Sequence, residues 1–291
     1  MKNKTGKKVL YYAILAILLG VFCFSGYQIY SYYSEQNAST SLNQEIVREY
    51  TIRKTGEAKE YFEVDFDQLR QQNEDVTAWL YLPDSVINYP VLQHGDNDYY
   101  LTRQIDGSYN KNGSIFMDYR NASDFSDRNT IIYGHHMRTG NMFGKLVNFK
   151  SDSYYQQHDH MFIMTPQVTY RLELLCGAVV EPDDPIYSID PTEEALAACM
   201  RRSTFQTKLD LPGEEARLVT LSTCSYEFED ARYIVIGVLT GPRFYVGNCH
   251  ILPGRIAPRP AGHTVFNDSW RRFGCGEESR SAGSTRQSCR S

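Results

Sequence analysis

The chain has 291 residues, 42% apolar and 22% charged, so it is long enough for a domain with a full core and is not disordered by composition. A formal net charge of -5, with no basic stripe interleaved with aromatics, gives no reason to expect a nucleic-acid partner. The seven Cys form no CxxC pair and no regular spacing, which indicates neither a zinc site nor a disulfide framework.

Lys2, Lys4, Lys7 and Lys8 precede an uncharged apolar stretch from Val9 to Tyr30. At about 1.5 Å per residue a helix of that length spans a hydrocarbon core of about 30 Å. Lysines on the N-terminal side predict a cytoplasmic tip over 1–8, a transmembrane anchor over 9–30, and the remainder outside the cell. Tyr27, Tyr30, Tyr32 and Tyr33 suit an interfacial aromatic belt. A cleaved signal peptide is the rival reading, but the run is longer than a usual signal core and no clear A-x-A-like cleavage site follows it.

Residues 31–60 are polar, mixed in charge and weak in periodicity, which predicts a stalk, partly helical from about Gln44. Residues 65–73 read as a short helix leading into a domain over 61–241. From Ala78 onward, short apolar or alternating runs are separated by Gly, Asn and Asp clusters. They fall at 79–82, 86–92, 113–118, 130–135, 160–165, 168–180, 216–223 and 233–239. Eight such runs predict a mainly β chain closed as a barrel or packed as a sandwich. One helix interrupts them over 190–202, with Asp190 as cap, Pro191 in the first turn and Glu193 at capping-box spacing. Cys199 lies on its apolar stripe with Ala195, Leu196 and Met200, as a core contact would. The tail, 242–291, is rich in Arg, Gly and Ser, lacks Lys and carries three of the Cys; it reads as disordered, and its abrupt change of residue usage suits an out-of-frame or read-through extension.

Two segments carry chemistry. In 216–224 the strand alternation puts Leu218, Thr220, Ser222 and Cys224 on one side and delivers Cys224 at the strand's end. Arg232 opens the next strand, and a hairpin between the two would start Arg232 beside Cys224. A guanidinium there suits a thiolate or a developing oxyanion, although a buried Cys and a surface Arg would give the same spacing. In 129–137 a strand ends at Gly134, followed by His135 and His136, which point to opposite faces if strand geometry persists. Only one of them can serve a given cleft, as a proton carrier for a Cys nucleophile. Nothing in the spacing alone joins either His to Cys224.

Together, Tyr133-Gly134-His135 with Met137, and Thr220-Leu221-Ser222-Thr223-Cys224 with Arg232 eight residues on, resemble the two signatures of sortases, and class B in particular. Ala78-Trp79-Leu80, Ile87-Asn88-Tyr89-Pro90-Val91, Asp96-Asn97-Asp98-Tyr99-Tyr100-Leu101 and Gly113-Ser114-Ile115-Phe116-Met117-Asp118 resemble class B chains in order and spacing, so the likeness covers about 60–240. The resemblance implies the sortase eight-stranded β-barrel with N-terminal helices and a helix before the Cys strand. It implies Cys224 as nucleophile, His135 as acid and base, and Arg232 as holder of the oxyanion. Ser222, on the Cys224 face, is the candidate substrate contact. The implied partners are secreted proteins with a C-terminal sorting motif, resembling Asn-Pro-Gln-Thr-Asn or Pro/Ser-Pro-x-Thr-Gly and cut after Thr, and an amine of peptidoglycan, either precursor or stem peptide. The tail departs from the family pattern.

No cofactor and no metal is expected. His158 and His160 have no further ligands nearby in sequence, the acidic turn 181–185 reads as solvated, and no Gly-rich phosphate loop or Ser nucleophile elbow is present. Two alternatives stay open: a pilus-polymerising sortase, whose extra lid and C-terminal membrane span are not found in the sequence, and a catalytically silent membrane-tethered scaffold.

Overall fold

Helix α1 (Asn3–Tyr50) opens the chain in a computed structural model that describes residues 3–55 and 60–245. It contains the one helical stretch among the described residues that is long and apolar enough to cross a membrane. The helix does not stop at a stalk. No Gly or Pro occurs between Tyr27 and Tyr50 to break it, and its outer half has something to pack on. Gln36, Ser39, Asn43, Ile46 and Tyr50 recur at three- and four-residue steps and so share one face. All but the half-buried Asn43 are buried against the rest of the protein.

Among the described residues that follow, β1 (Thr51–Thr55) and β2 (Glu60–Val64) pair antiparallel, Thr51 opposite Val64. Helix α2 (Phe66–Gln72) follows, within the expected 65–73, and Asp65 caps it by accepting from the Gln68 amide at 3.0 Å.

The eight predicted runs become eight strands: β3 (Val76–Tyr81), β4 (Asn88–Leu92), β5 (Ile115–Met117), β6 (Asn129–Tyr133), β7 (His160–Met164), β8 (Val168–Val180), β9 (Leu218–Cys224) and β10 (Arg232–Tyr245). They close into a barrel in the order β10-β8-β7-β3-β4-β5-β6-β9. Pairs β4/β5 and β6/β9 are parallel and the others antiparallel. Helix α3 (Asp152–Gln157) precedes β7, and α4 (Glu193–Arg201) lies in the connection before β9.

Alternation divides the apolar residues into three layers. Ala78, Leu80, Val91, Ile115, Ile132, Val219, Leu221, Tyr233 and Val235 fill the barrel. Val76, Trp79, Leu92 and Phe116 point outward under Ile46 and Tyr50 of α1 and Leu69 of α2. Leu218, Ile234 and Ile236 point outward under Leu196 and Cys199 of α4. Cys199 is therefore a core contact.

Two local expectations change. Thr192, not Asp190, caps α4: its side chain accepts from the Ala195 amide at 3.2 Å, while Asp190 is exposed beside Arg128. Pro191 ends up before the cap rather than in the first turn. Strand β10 continues to Tyr245, past the predicted end at 239, so the first residues of the predicted tail belong to the barrel. The remainder, 246–291, including Cys249, Cys275 and Cys289, lies outside the described residues.

Candidate active site

The antiparallel pairing of β9 and β10 sets Arg232 opposite Cys224. On the other side of β9, β6 runs parallel with Tyr133 opposite Ser222, and the ladder continues one step as the Gly134 amide donates to the Ser222 carbonyl at 3.1 Å. Because Val219, Leu221, Tyr233 and Val235 face the barrel interior, their neighbours Ser222, Cys224, Arg232 and Ile234 face out. Counting on from Tyr133, His135 falls on that same outer face, level with Cys224. Cys224 ends β9 and Arg232 opens β10 opposite it, while His135 follows two residues after the end of β6 on the other side of β9. Cys224, His135 and Arg232 are each half-buried.

The two histidines separate as the pleat requires. His135 Nε2 lies 2.8 Å from the Leu101 carbonyl. A carbonyl only accepts, so this bond assigns the proton to Nε2 and leaves Nδ1 unengaged by it. His136 turns the other way. Its Nδ1 donates to the backbone carbonyl of Cys224 at 3.0 Å, and its ring lies 5.3 Å from that of Tyr226. One histidine shares the face of the thiol; the other ties the end of β6 to the end of β9.

Gly134 makes this close approach possible. A Cβ there would come within 2.4 Å of Ile115 Cδ1 and 2.8 Å of the Phe143 ring. Its carbonyl accepts from the Thr223 hydroxyl at 2.7 Å, a second tie between the two parallel strands.

Ser222 is 2% exposed, and its hydroxyl is paired with that of Tyr187 at 2.7 Å, so it presents no open group to a cleft. Sequence reasoning missed Tyr187, in the connection between β8 and α4. Burial pushes its pKa up to about 12, while the Ser222 bond and the Arg232 charge pull the other way and Cys224 raises it. The bond to Ser222, two residues before Cys224 on the same face of β9, places the Tyr187 hydroxyl next to that strand end. It stacks on Tyr133 at 6.4 Å.

Tyr133 donates in turn to Asp118 at 2.9 Å, and Asp118 is fully buried. Arg120 grips the same carboxylate through two bonds of 2.8 Å and reaches the Tyr187 carbonyl at 3.2 Å. Burial works against the charged form of Asp118, but the bonds from Arg120 and Tyr133 outweigh it and hold its carboxyl below the usual aspartate range. The sequence signal was the Asp-x-Arg spacing of Asp118 and Arg120 after a strand.

Beyond Cys224, the loop to β10 is held by Lys150, which bonds Ser225 Oγ at 2.8 Å and pairs with Glu227. Burial notwithstanding, these partners hold the Glu227 carboxyl down to about 2. Cys176 in β8 and Cys199 in α4 are buried, whereas Cys224 is half-buried. Burial pushes the Cys199 thiol up to about 11 and the Cys176 thiol higher still, which keeps both protonated and unreactive. His158 and His160 are engaged locally, by the Tyr154 carbonyl and Asp159. Among the described residues no group of three or more His, Cys, Asp or Glu could hold a metal ion.

Comparison with known proteins gives consistent matches. A family model described as the sortase domain matches residues 80–240. Sortase B of Listeria monocytogenes is 31% identical over 241 residues, covering 78% of this chain and 95% of its own. The crystal structure of sortase B from Bacillus anthracis, in complex with AAEK1, matches with a TM-score of 0.60 and 28% identity, covering 71% of this chain and 98% of that one. A Streptococcus pyogenes class B sortase involved in pilus biogenesis matches with a TM-score of 0.56 and 33% identity, covering 61% of this chain and 98% of that one.

Proposed function

We propose, from the premise that this chain belongs to the sortase family and to its class B cysteine transpeptidases, that it joins secreted proteins to a peptidoglycan amine through a thioester on Cys224. The observation that carries this reading is the register that sets Arg232 opposite Cys224, with β6, which leads into Gly134 and His135, parallel to β9 on its other side.

In the proposed reaction, Cys224 passes its thiol proton to His135 as its Sγ attacks the carbonyl carbon after the Thr of a C-terminal sorting motif. Arg232 donates to the oxyanion as charge develops, from a position fixed by the β9/β10 register. Collapse of the intermediate breaks the C–N bond, and His135 gives its proton to the leaving amine. An amine of peptidoglycan then attacks the thioester, the C–S bond breaks, and His135 takes the amine's proton and returns it to the departing sulfur, restoring the thiol. Ser222 is proposed to contribute indirectly, by holding Tyr187 as a wall beside the thiol.

The apolar part of α1 is proposed as a single-pass anchor, with residues 1–8 in the cytoplasm and the barrel outside; the lysines before Val9 and the tyrosines after Tyr27 support that orientation. On this reading the catalytic domain covers about 61–241, extended by the β10 residues to 245. The segment after it is proposed to be dispensable.

The test uses the fragment 31–245, which keeps the docked half of α1 and all of β10. It is incubated with fluorogenic peptides carrying candidate motifs, with and without an amine acceptor, beside its Cys224→Ala variant. Cleavage after Thr that requires Cys224, with a product joined to the amine, is expected. A folded fragment that cleaves none of them, or cleaves equally without Cys224, would favour the scaffold reading.

A second reading has one observation in its favour, the similarity to a class B sortase involved in pilus biogenesis. Pilus polymerisation needs a protein lysine as acceptor. Competition between a lysine-bearing pilin-like peptide and a peptidoglycan stem peptide in the same assay separates the two.

A further inference from the structure

We propose that the barrel end carrying Cys224 rests on the outer face of the lipid bilayer, through a rim formed by residues 109–112 and 138–141. This rests on the reading of α1 as a membrane anchor and adds to it a fixed orientation of the active site.

The argument starts from helix length. The apolar stretch of α1 ends near Tyr30, and the helix continues without a break. Five residues later, about 7.5 Å along the axis, the barrel is already in contact with it. Asn110 Nδ2 donates to the Glu35 carbonyl at 3.1 Å, and Lys111 lies 3.6 Å from the Glu35 carboxylate. Gln36 donates to Asn112 at 2.7 Å and accepts from Thr139 at 3.2 Å; Asn141 donates to Thr40 at 2.7 Å. Gln36 and Asn112 are 3% and 1% exposed, so the joint is packed rather than a tether. The bilayer's polar layer is about 5–7 Å deep on each side of the hydrocarbon. Two loops fixed to α1 at Glu35 and Gln36 therefore lie at the outer edge of the headgroup layer for an upright helix, and a tilted helix brings them into it.

The exposed chemistry of the rim suits that position. Tyr109 is 63% exposed, an amphipathic ring of the kind favoured at membrane interfaces. Lys111 and Arg138 are exposed beside it and can meet lipid phosphates.

The same rim lies at the catalytic end. Strand β6 ends at Tyr133, His135 follows two residues later, and four residues after that Thr139 touches Gln36. Because β9 is parallel to β6, Cys224 is at this end too. Four residues span at most about 14 Å of chain, so the thiol is held near the membrane surface, where acceptors and clients that are themselves lipid-linked would arrive. The opposite end of β9, near Glu215, is about 20 Å away.

Photocrosslinking of the full chain in vesicles of phosphatidylglycerol and phosphatidylcholine tests the placement. A benzophenone-bearing phenylalanine replaces, one at a time, Leu19, Tyr109 or Glu215, and Cys224-dependent peptide cleavage verifies that each variant is folded. Lipid adducts at 19 and 109, and none at 215, are expected. An adduct at 19 with none at 109 would overturn the proposal while leaving the anchor intact. Adducts at all three positions would overturn the orientation. The absence of any adduct at 19 would remove the anchor reading and the proposal with it.

Discussion

Arg232, the first residue of β10, is the register partner of Cys224, the last residue of β9. The pair sits where the hairpin opens into the 225–231 loop, so backbone pairing sets the two residues side by side. Arg232 Nη1 donates to the carbonyls of Asp230 and Ala231 at 2.8 and 3.3 Å, which braces the fork against its own loop. If Arg232 stabilises the oxyanion, Arg232→Ala lowers kcat by about 10²–10³-fold, the usual cost of one oxyanion donor. Arg232→Lys recovers little, because a single ammonium cannot hold the brace and donate at once. Steady-state kinetics on a cleaved peptide provide the check; an alanine variant with unchanged kcat would reassign the oxyanion donor.

His136 is predicted to be a positioning residue, acting through the carbonyl of Cys224. Its two contacts, the 3.0 Å bond and the Tyr226 ring, can be removed separately. His136→Phe keeps a ring and loses the donor; His136→Asn keeps a donor and loses the ring. A lost hydrogen bond of about 0.5–1.5 kcal/mol corresponds to about a two- to tenfold fall in kcat. The Phe variant should show that fall with KM unchanged, and the Asn variant should retain most of the activity. Equal losses in both would mean that the ring, not the donor, does the positioning.

Gly134→Ala should displace the proposed proton carrier without touching it. The new Cβ meets Ile115 and Phe143 at 2.4 and 2.8 Å, both fully packed. Overpacking of that kind costs about 1–3 kcal/mol. The strand end then shifts at the residue before His135, so kcat should fall even at temperatures where the variant is fully folded. A variant with a lower unfolding temperature but native kcat would show that the barrel absorbs the clash elsewhere.

These features were unequally legible in the sequence. The eight strands and the facing of Cys224 and Arg232 could be read because short runs of alternating residues encode barrel strands directly. Pleat parity told only that His135 and His136 point to opposite faces; the resemblance to sortases selected His135. The docked half of α1 was hidden because Gln36, Ser39 and Asn43 occupy its packed face: the helical period is present, but in polar residues that a hydrophobic pattern does not register. The β1/β2 hairpin went unseen for a related reason, as Thr51-Ile52-Arg53-Lys54-Thr55 and Glu60-Tyr61-Phe62-Glu63-Val64 carry too few apolar residues to stand out as strands. Tyr187 was missed because its partner Ser222 lies 35 residues away in sequence, and the role of Asp118, though its partner Arg120 is only two residues off, depends on Tyr133, 15 residues away.

The Asp118 cluster gives the site a defined response to acid. The carboxyl is fully buried, held by Arg120 and Tyr133, and titrates below the usual range. Its unfolded counterpart takes up a proton near 3.9. The folded state therefore binds the proton less well than the unfolded chain. The carboxylate's contribution to stability is present at all pH values above that range and is lost as pH falls through the lower folded value. Asp118→Asn removes the charge that Arg120 grips and should destabilise the fragment 31–245 at neutral pH by about 1–3 kcal/mol. The gap between wild type and variant should narrow as the pH is taken below 4, because acid then neutralises the wild-type carboxyl as well. Urea unfolding of both proteins at neutral and acid pH measures this gap. A gap that stayed constant would mean that Asp118 holds Tyr133 and Arg120 by shape alone. A gap that closed would tie the wall beside Cys224, through Tyr133 and Tyr187, to the ionised state of a residue outside the predicted triad.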